Sequence, residues 1–315
     1  MMLPEEIRSR YGDLPYLTPY QSIYALTDEA GQMVELHEFH ARGAAGGGAA
    51  WEVYHYPRTS PLIVGARREG PRNVFLCRAG VCDLELIPGL AGAGLERVNI
   101  VEERVELTYA GLAGGGVAAT VCRGMAEGVL GMEVESMGGG ARLGRATLVL
   151  PRLHKLVIGV DDTDDEERGA TWAAVNEAAW HTGREGLAAY LAHVIVQLFP
   201  QNPYRTTNCC STAVVLGVER ERAEEAIAYL VRQVEKRCYS EEAAAALMQR
   251  LLVPEELARF TRAAKSRMVE EEEADNLASW LGVELREITG SRGRIGALAA
   301  LGMSDRIDEA VRPYA

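Results

Sequence analysis

Lysine is almost absent from this sequence. Lys155, Lys236 and Lys265 are the only lysines among 315 residues, and every other basic residue is arginine. Arginine suits the fork geometry of phosphate groups. However, the formal net charge is −12 and neither half of the chain is basic. Long-range attraction to nucleic acid is therefore not expected, and we attribute the arginine bias to base composition.

Long apolar runs and paired cysteines are missing as well. No apolar run approaches the roughly 18 residues of a membrane-spanning helix, and the N-terminus carries acid early, without the apolar core of an export signal. The six cysteines include no CxxC pair, which argues against a structural zinc site. We predict a cytoplasmic protein with reduced thiols and no membrane contact.

The chain is long enough for two domains with separate cores. Residues 1–150 contain short apolar stretches between glycine-rich segments and predict a mixed α/β or mostly β domain, with WEVYHY and DLELI among the strands. In residues 151–315 strands alternate with helices, and the helices include GREGLAAYLAHVIVQLF and residues 241–265. The predicted fold class is α/β (α+β), with a boundary near Pro151.

The apolar run KLVIGV of residues 155–160 leads directly into the acidic residues of the stretch GVDDTD, with which it shares its last two residues. The run predicts a strand buried on both faces, so Asp161, Asp162 and Asp164 lie at its carboxyl end. Carboxylates about 4–6 Å apart repel each other by roughly 1 kcal/mol in water and by more near a protein interior. Mg²⁺ held by carboxylates and phosphates would neutralise them, with Thr163 adding a hydroxyl. The alternative is that these residues cap the next helix.

Two later segments carry groups that suit an anion. The irregular stretch PYRTTN offers an arginine fork and short donors, and TGSRGRIGALAALG places glycines and arginines before a predicted helix N-terminus. The alternatives are an ordinary surface loop and a turn before a tightly packed helix. The candidate residues of these segments are Arg205, Thr206, Thr207, Asn208, Gly290, Arg292, Gly293, Arg294 and Gly296.

GVDDTD, NPYRT and GRIGALAALG occur in an order that resembles the archaeal tRNA(Ile) agmatidine synthases, over about residues 155–302. The resemblance implies a kinase-like domain joined to a ferredoxin-like part (roughly 205–265). It also implies that Asp161, Asp162 and Asp164 hold Mg²⁺ and the ATP phosphates in a catalytic role. The implied nucleotide-binding residues are Thr163, Gly169, Thr171, Arg205, Thr206, Asn208, Gly290, Arg292, Gly293, Arg294 and Gly296.

The sequence departs from that family in three ways. Aligned on Arg168-Gly169, Ala173 stands where those synthases have a phosphate-accepting threonine, and Thr171 lies two positions short. TTN replaces TRGN. The tRNA-holding OB-fold and zinc-ribbon modules do not follow the core in this sequence. We therefore expect the residues that bind and use ATP to be retained, without direct binding of tRNA.

The stretch YAGLAGGGVAATVCRGMAEGV before GVDDTD, with GATW after it, resembles the methanogenesis marker protein 11 family over the whole chain. We predict a Mg-ATP-dependent phosphotransferase or ligase-like enzyme, associated with methanogenesis, that activates an unidentified small-molecule, protein or RNA acceptor. Two alternatives remain open. One is a non-catalytic ATP-binding assembly factor, and the other is an RNA-modifying enzyme whose partner holds the tRNA.

The histidine pair and the tryptophan pair are weaker indications of a functional site than the motifs above. His37 and His40 lie three apart in a predicted strand, so they point to opposite faces and are not expected to chelate one ion. Trp172 and Trp180 lie eight apart in a predicted helix, and we expect both in its core-facing side.

Overall fold

The computed structural model describes residues 1–12, 19–41, 43–90 and 92–314. It divides into two compact units, Met1–Leu153 (the first unit) and His154–Ala315 (the second unit). Both contain helices and strands, so the predicted mixed α/β fold class is confirmed. No helix in these ranges is long and apolar enough to cross a bilayer.

The first unit is built mainly of antiparallel strands in two rows. One row has the order β3-β4-β2-β1 and the other the order β5-β6-β7-β9-β8. The elements are α1 (Pro4–Tyr11), β1 (Tyr20–Thr27), β2 (Met33–His40), α2 (Ala44–Thr59), β3 (Ile63–Glu69), β4 (Arg72–Arg78), β5 (Gly80–Val81), β6 (Ala93–Val101), β7 (Arg104–Gly111), α3 (Ala113–Ala118), β8 (Gly131–Ser136) and β9 (Gly144–Asp161).

Two strand predictions for the first unit are wrong. WEVYHY belongs to helix α2. Its buried residues Ala49, Glu52 and Tyr56 recur at three- and four-residue spacing, so one helical face packs inward and overrides the local strand preference. DLELI forms no strand, because its segment makes only an isolated bridge at Ile87.

A buried ionic cluster lies within the apolar core of the first unit. The Arg123 side chain is fully buried and donates from Nε to Glu38 Oε1 at 2.7 Å and from Nη2 to Glu52 Oε1 at 3.2 Å. Its guanidinium carbon lies 4.4 Å from the ring centre of Tyr20 and 4.0 Å from that of Tyr109. Burial raises the pKa of Glu52 to about 8. Arg123 is therefore the cation around which this part of the core is organised.

The second unit is an antiparallel sheet in the order β10-β11-β9-β12-β13, with the carboxyl half of β9 at its centre. Helices cover it on both faces. Its further elements are α4 (Thr171–Arg184), β10 (Ala189–Gln197), β11 (Cys210–Val218), a 3₁₀ turn (Arg220–Arg222), α5 (Ala223–Glu235), β12 (Ala244–Met248), α6 (Glu255–Ser266), α7 (Glu271–Leu281), β13 (Glu284–Glu287), α8 (Arg294–Leu301) and α9 (Ile307–Ala310).

Two helix predictions for the second unit need correction. AYLAHVIVQ is strand β10, and residues 244–248 are strand β12 rather than part of a helix over 241–265. β10 is an edge strand that pairs only with β11 among the described strands. The spacing of its apolar residues is compatible with a helix and with a strand. Pairing with β11 makes the segment a strand.

The alternation of β9 places the candidate site. Leu156, Ile158 and Val160 pack with α4 and α5 in one core. Gly159 and Asp161 therefore point to the opposite face, where α8 lies. A Cβ on Gly159 would overlap the carbonyl oxygen of Ala297, so helix and strand approach here as closely as their backbones permit.

Candidate functional site

The GVDDTD turn begins where β9 ends. Asp161 is the last residue of the strand, and Asp162 follows with a positive φ of 64°. Aspartate tolerates this left-handed conformation better than most residues because its short side chain bonds locally. The chain thus turns sharply, and the carboxylates of Asp161, Asp162 and Asp164 line one cavity.

Hydroxyl groups fix the orientation of Asp164. Thr171 Oγ1 donates to Asp164 Oδ1 at 2.6 Å, and Thr206 Oγ1 donates to Asp164 Oδ2 at 2.9 Å. Thr163 donates to Thr171 Oγ1 from its backbone nitrogen at 3.1 Å and from its hydroxyl at 3.0 Å. Thr163 is buried beneath the turn, so its role in the structure is to hold Thr171 rather than to face the cavity.

Position 169 requires a glycine, because its φ angle is positive and no space is left for a side chain. Its φ is 90°, and a Cβ there would lie 2.9 Å from the ring of Tyr239 and 3.1 Å from Asp164 Cβ. Any side chain would therefore press on the turn that carries the aspartates.

Glycines of the last loop bring α8 against the aspartates. A Cβ on Gly296 would overlap Asp161 Oδ2, and a Cβ on Gly293 would lie 2.7 Å from the carbonyl oxygen of Asp161. The helix begins at Arg294. Small residues here allow the carboxylate to lie against the first turn of α8.

In the part of the chain that the structure describes, Arg292 is the only cation within ion-pair distance of any of the three carboxylates, and its partner is Asp162. Its Nε donates to Asp162 Oδ2 at 3.0 Å, and its guanidinium carbon lies 5.7 Å from the ring centre of Tyr204. The pair is partly exposed, so we expect it to contribute little to folding stability.

The carboxylates are held in an environment that disfavours their charge. Burial, together with the negative charges of Asp162 and Asp164, raises the pKa of Asp161 well above its usual range. Burial also raises the pKa of Asp162, although Arg292 opposes the shift. Raised pKa values at a clustered site identify a place where an added cation would be bound favourably.

A cavity of about 1020 Å³ opens in front of the turn. Most of the candidate residues line it, whereas Thr163, Gly290, Gly293 and Arg294 do not. Arg294 turns away to pair with Glu271 and Asp275. Those that line the cavity are Asp161, Asp162, Asp164, Gly169, Thr171, Arg205, Thr206, Thr207, Asn208, Arg292 and Gly296.

The cavity wall includes residues that sequence reasoning missed. The link between α6 and α7, together with the first two residues of α7, contributes Arg267–Glu272. Phe199 and Tyr204 come from the loop after β10. The expectation for the tryptophans is wrong: Trp172 lines the cavity, and Trp172 and Trp180 are 48% and 49% exposed. Small alanines, such as Ala174 and Ala178, occupy the core-facing side of α4 instead.

The chain is 41% identical over 286 residues to the uncharacterized protein MJ0921 of Methanocaldococcus jannaschii. The match covers 91% of this chain and 94% of that protein. The chain belongs to the same family as MJ0921.

A family description, the TiaS TCKD domain, matches residues 157–290. The tRNA 2-agmatinylcytidine synthetase TiaS of Methanosarcina acetivorans is 30% identical over 155 residues, which are 47% of this chain and 35% of that protein. The chain thus matches about a third of the length of TiaS. The crystal structure of TiaS in complex with its tRNA and ATP aligns with 47% of this chain and 36% of its own, at 21% identity and a TM-score of 0.44. The crystal structure of apo TiaS aligns with 47% of this chain and 35% of its own, at 20% identity and a TM-score of 0.39.

Proposed function

We propose that the second unit binds Mg-ATP at Asp161, Asp162 and Asp164 and uses it to activate an acceptor by phosphoryl transfer or ligase-type chemistry. One observation carries the proposal. Three carboxylates converge on a cavity large enough for a nucleotide, and among the described residues a single arginine pairs with one of them, Asp162. Such an excess of negative charge is suited to a divalent cation with bound phosphates.

The residues present fit Mg²⁺. The donor set consists of carboxylate oxygens, and the raised pKa values of Asp161 and Asp162 reflect charge that the protein does not neutralise. When bound, the ion would offset the charge of the phosphates. The Thr171 and Thr206 hydroxyls hold the Asp164 carboxylate in one orientation, which preorganises the site.

Two arginines on the cavity wall are placed for the phosphates. Arg205 is exposed, and Arg292 lies beside Asp162. In the proposed transfer, the bond from the γ-phosphorus to the ADP oxygen breaks as a bond to an acceptor oxygen forms, and ADP leaves. The chain's own contribution is positioning and charge neutralisation.

A second candidate is a non-catalytic ATP-binding assembly factor. Ala173 has no hydroxyl, and Thr171 Oγ1 already accepts two hydrogen bonds and donates a third. Neither residue therefore offers a free hydroxyl to take up a phosphate. This arrangement favours binding without a phosphothreonine step.

A third candidate is an RNA-modifying enzyme whose partner binds the tRNA. The tRNA 2-agmatinylcytidine synthetase activity of the TiaS relative and the match of the TiaS TCKD domain favour it. The net charge of −12 weighs against direct binding of RNA by this chain. The association with methanogenesis, and membership of the methanogenesis marker protein 11 family, are part of the proposal. They are supported by the shared sequence stretches and by relatives in Methanocaldococcus jannaschii and Methanosarcina acetivorans.

The deciding experiment incubates the pure chain with Mg-ATP and identifies the nucleotide products by chromatography. ADP, or AMP with pyrophosphate, is expected from the wild type and not from Asp162→Asn. Asp308→Asn, an exposed acid outside the cavity, should behave as wild type. Turnover that survives Asp162→Asn would remove the proposal. If no turnover occurs but a non-hydrolysable ATP analogue binds only to the wild type, the assembly factor is supported instead.

A further inference from the structure

Asp162 and Asp164 are held by different kinds of partner in the cavity of the second unit. Both oxygens of Asp164 accept hydrogen bonds from neutral threonine hydroxyls, which leave the charge of that carboxylate in place. Asp162 Oδ2 accepts from Arg292 Nε at 3.0 Å, and no other described side chain donates to this carboxylate. Asp162 is therefore the aspartate whose charge is offset by a cation of the chain itself.

The backbone of Arg292 is firmly anchored. Its N–H donates to Glu242 Oε2 at 3.2 Å, and the next N–H, that of Gly293, donates to the Glu242 carbonyl oxygen at 2.9 Å. A Cβ on Gly290 would overlap the carbonyl oxygen of Glu241, so this loop lies tightly against the residues before β12. The root of the Arg292 side chain is thus fixed beside the aspartates.

The guanidinium of the same side chain is held much less firmly. The side chain is 39% exposed and lines the cavity. Within the described ranges only its Nε has a hydrogen-bond partner, so both terminal nitrogens are open to another acceptor. The contact with Tyr204, at 5.7 Å from the ring centre, is near the outer limit for a cation and an aromatic ring. The guanidinium can therefore move within the cavity while its backbone stays in place.

A divalent ion and Arg292 compete for Asp162. An ion held by this carboxylate would share it with the guanidinium, and two positive charges so close together repel each other. The phosphates of a nucleotide offer the guanidinium another partner, because their anionic oxygens match the fork of its N–H donors. Each cation therefore has its own acceptor only when a nucleotide is present.

We propose that Arg292 is an exchangeable counter-cation, which pairs with Asp162 until Mg-ATP binds and then moves to the phosphates. The inference rests on the proposed function, because it concerns the regulation of the same site. Its consequence is coupling between the two ligands. The metal ion binds weakly by itself, since it must displace an internal cation, and more tightly together with the nucleotide. By linkage, the metal ion raises the affinity for the nucleotide by the same factor.

The test measures two affinities with Mn²⁺ as the probe ion. Electron paramagnetic resonance of free Mn²⁺ gives the affinity for the ion alone, and isothermal titration gives the affinity for a non-hydrolysable ATP analogue in the presence of Mn²⁺. Arg292→Gln should bind the ion alone at least about fivefold more tightly, and the nucleotide with Mn²⁺ at least about fivefold more weakly. Ions bound elsewhere are subtracted with Asp161→Asn/Asp162→Asn.

Two further variants separate charge from structure. Arg292→Lys keeps the positive charge but lacks the fork. It should bind the ion alone as weakly as the wild type does, and the nucleotide with an affinity between those of the wild type and Arg292→Gln. Arg286 pairs with Glu284 at 2.6 Å outside the cavity, so Arg286→Gln is the matched control for the loss of one charge. Both of its affinities should equal those of the wild type.

Opposite changes of the two affinities distinguish exchange from simple support of the turn. If Arg292→Gln weakens both affinities, or changes neither, the inference is overturned, because a residue that only supports the turn cannot oppose metal binding. The proposed function would survive either result, since the wild type still binds the ion and the nucleotide. A wild type that binds neither would instead refute the proposed function, and this inference with it.

Discussion

The two units treat buried charge differently. In the first unit, the fully enclosed Arg123 bonds Glu38 and Glu52 and lies among tyrosine rings. In the second unit, the carboxylates of Asp161 and Asp162 face a cavity, and Asp162 alone of the two pairs with a partly exposed arginine. The first arrangement satisfies its arginine internally, whereas the second leaves an excess of negative charge accessible to a ligand.

This difference separates residues that maintain a fold from residues that prepare a site. Removing one member of an enclosed ion pair strands its partner in a low dielectric. Removing one member of an open carboxylate group relieves repulsion instead. Mutations in the first cluster should therefore affect stability, and mutations in the second should affect binding.

The largest effect is expected for Arg123→Ala, which should lower the free energy of unfolding of the first unit by about 3–5 kcal/mol, because Glu38 is left buried without its cation. Hydrogen exchange of first-unit amides, read by mass spectrometry, measures the loss. Millimolar guanidinium should restore part of the protection. Arg97→Ala, an exposed arginine on β6, should change the unfolding free energy by less than about 0.5 kcal/mol. Equal losses in the two variants would show that Arg123 is not a central cation.

Gly296→Ala should have the next largest effect, which is a loss of affinity for Mg-ATP. Its Cβ would overlap Asp161 Oδ2, so either the carboxylate or α8 must move. Overpacking of this kind costs about 1–3 kcal/mol, which corresponds to roughly tenfold to hundredfold weaker Mg-ATP binding if it falls on the site. Isothermal titration with a non-hydrolysable analogue measures it.

Gly183→Ala is the matched control, because its Cβ would meet Tyr190 Cβ at an ordinary 3.6 Å. Its affinity should equal that of the wild type. If Gly296→Ala also binds normally, the contact between α8 and Asp161 does not position the carboxylate.

Continuous patterns make much of the second unit predictable. The apolar run of β9, the alanine-rich α4 and the small-residue α8 each follow from neighbouring residues, as does the acidic turn between the first two. The cavity wall is not predictable in the same way. Arg267–Glu272 and Phe199 reach it through tertiary packing, for which local spacing carries no signal.

The errors share one physical cause, which is that local spacing is overruled by a distant partner. The apolar residues of β10 fit a helical period, and only pairing with β11 makes it a strand. The aromatic residues of α2 locally favour a strand, but the segment is helical because one helical face is buried in the core.

Asp162 allows backbone strain and carboxylate function to be separated at one position. Its φ of 64° is left-handed, a conformation that costs residues with an ordinary Cβ roughly 1–2 kcal/mol. Among substitutions, Gly and Asn should therefore give more stable proteins than Ala, by about 1 kcal/mol, in urea unfolding. All three should lose Mg-ATP binding alike. An Ala variant as stable as the Gly variant would show that the turn is unstrained in solution.

The smallest expected effect is a pH-dependent one at Glu309, an internally paired acid of the second unit. Hydrogen bonds from Arg262, at 2.8 Å, and from Tyr314 lower the pKa of Glu309 to about 2. Because the folded pKa lies below the unfolded value of 4.5, the pair stabilises the fold above pH 4.5, and the contribution is lost as the pH falls through about 2. The side chain is 31% exposed, so solvent screening limits the contribution to less than about 1 kcal/mol.

Urea unfolding of wild type and Glu309→Gln tests this at neutral pH and at pH about 3. The difference between the two proteins should narrow at the lower pH and in high salt, because both conditions weaken the same ion pair. Glu221→Gln, an exposed acid, should track the wild type at both pH values. A gap that persists unchanged in acid and in salt would mean that Glu309 acts through packing rather than charge, and that the second unit, like the first, owes part of its stability to a contact that solvent does not screen.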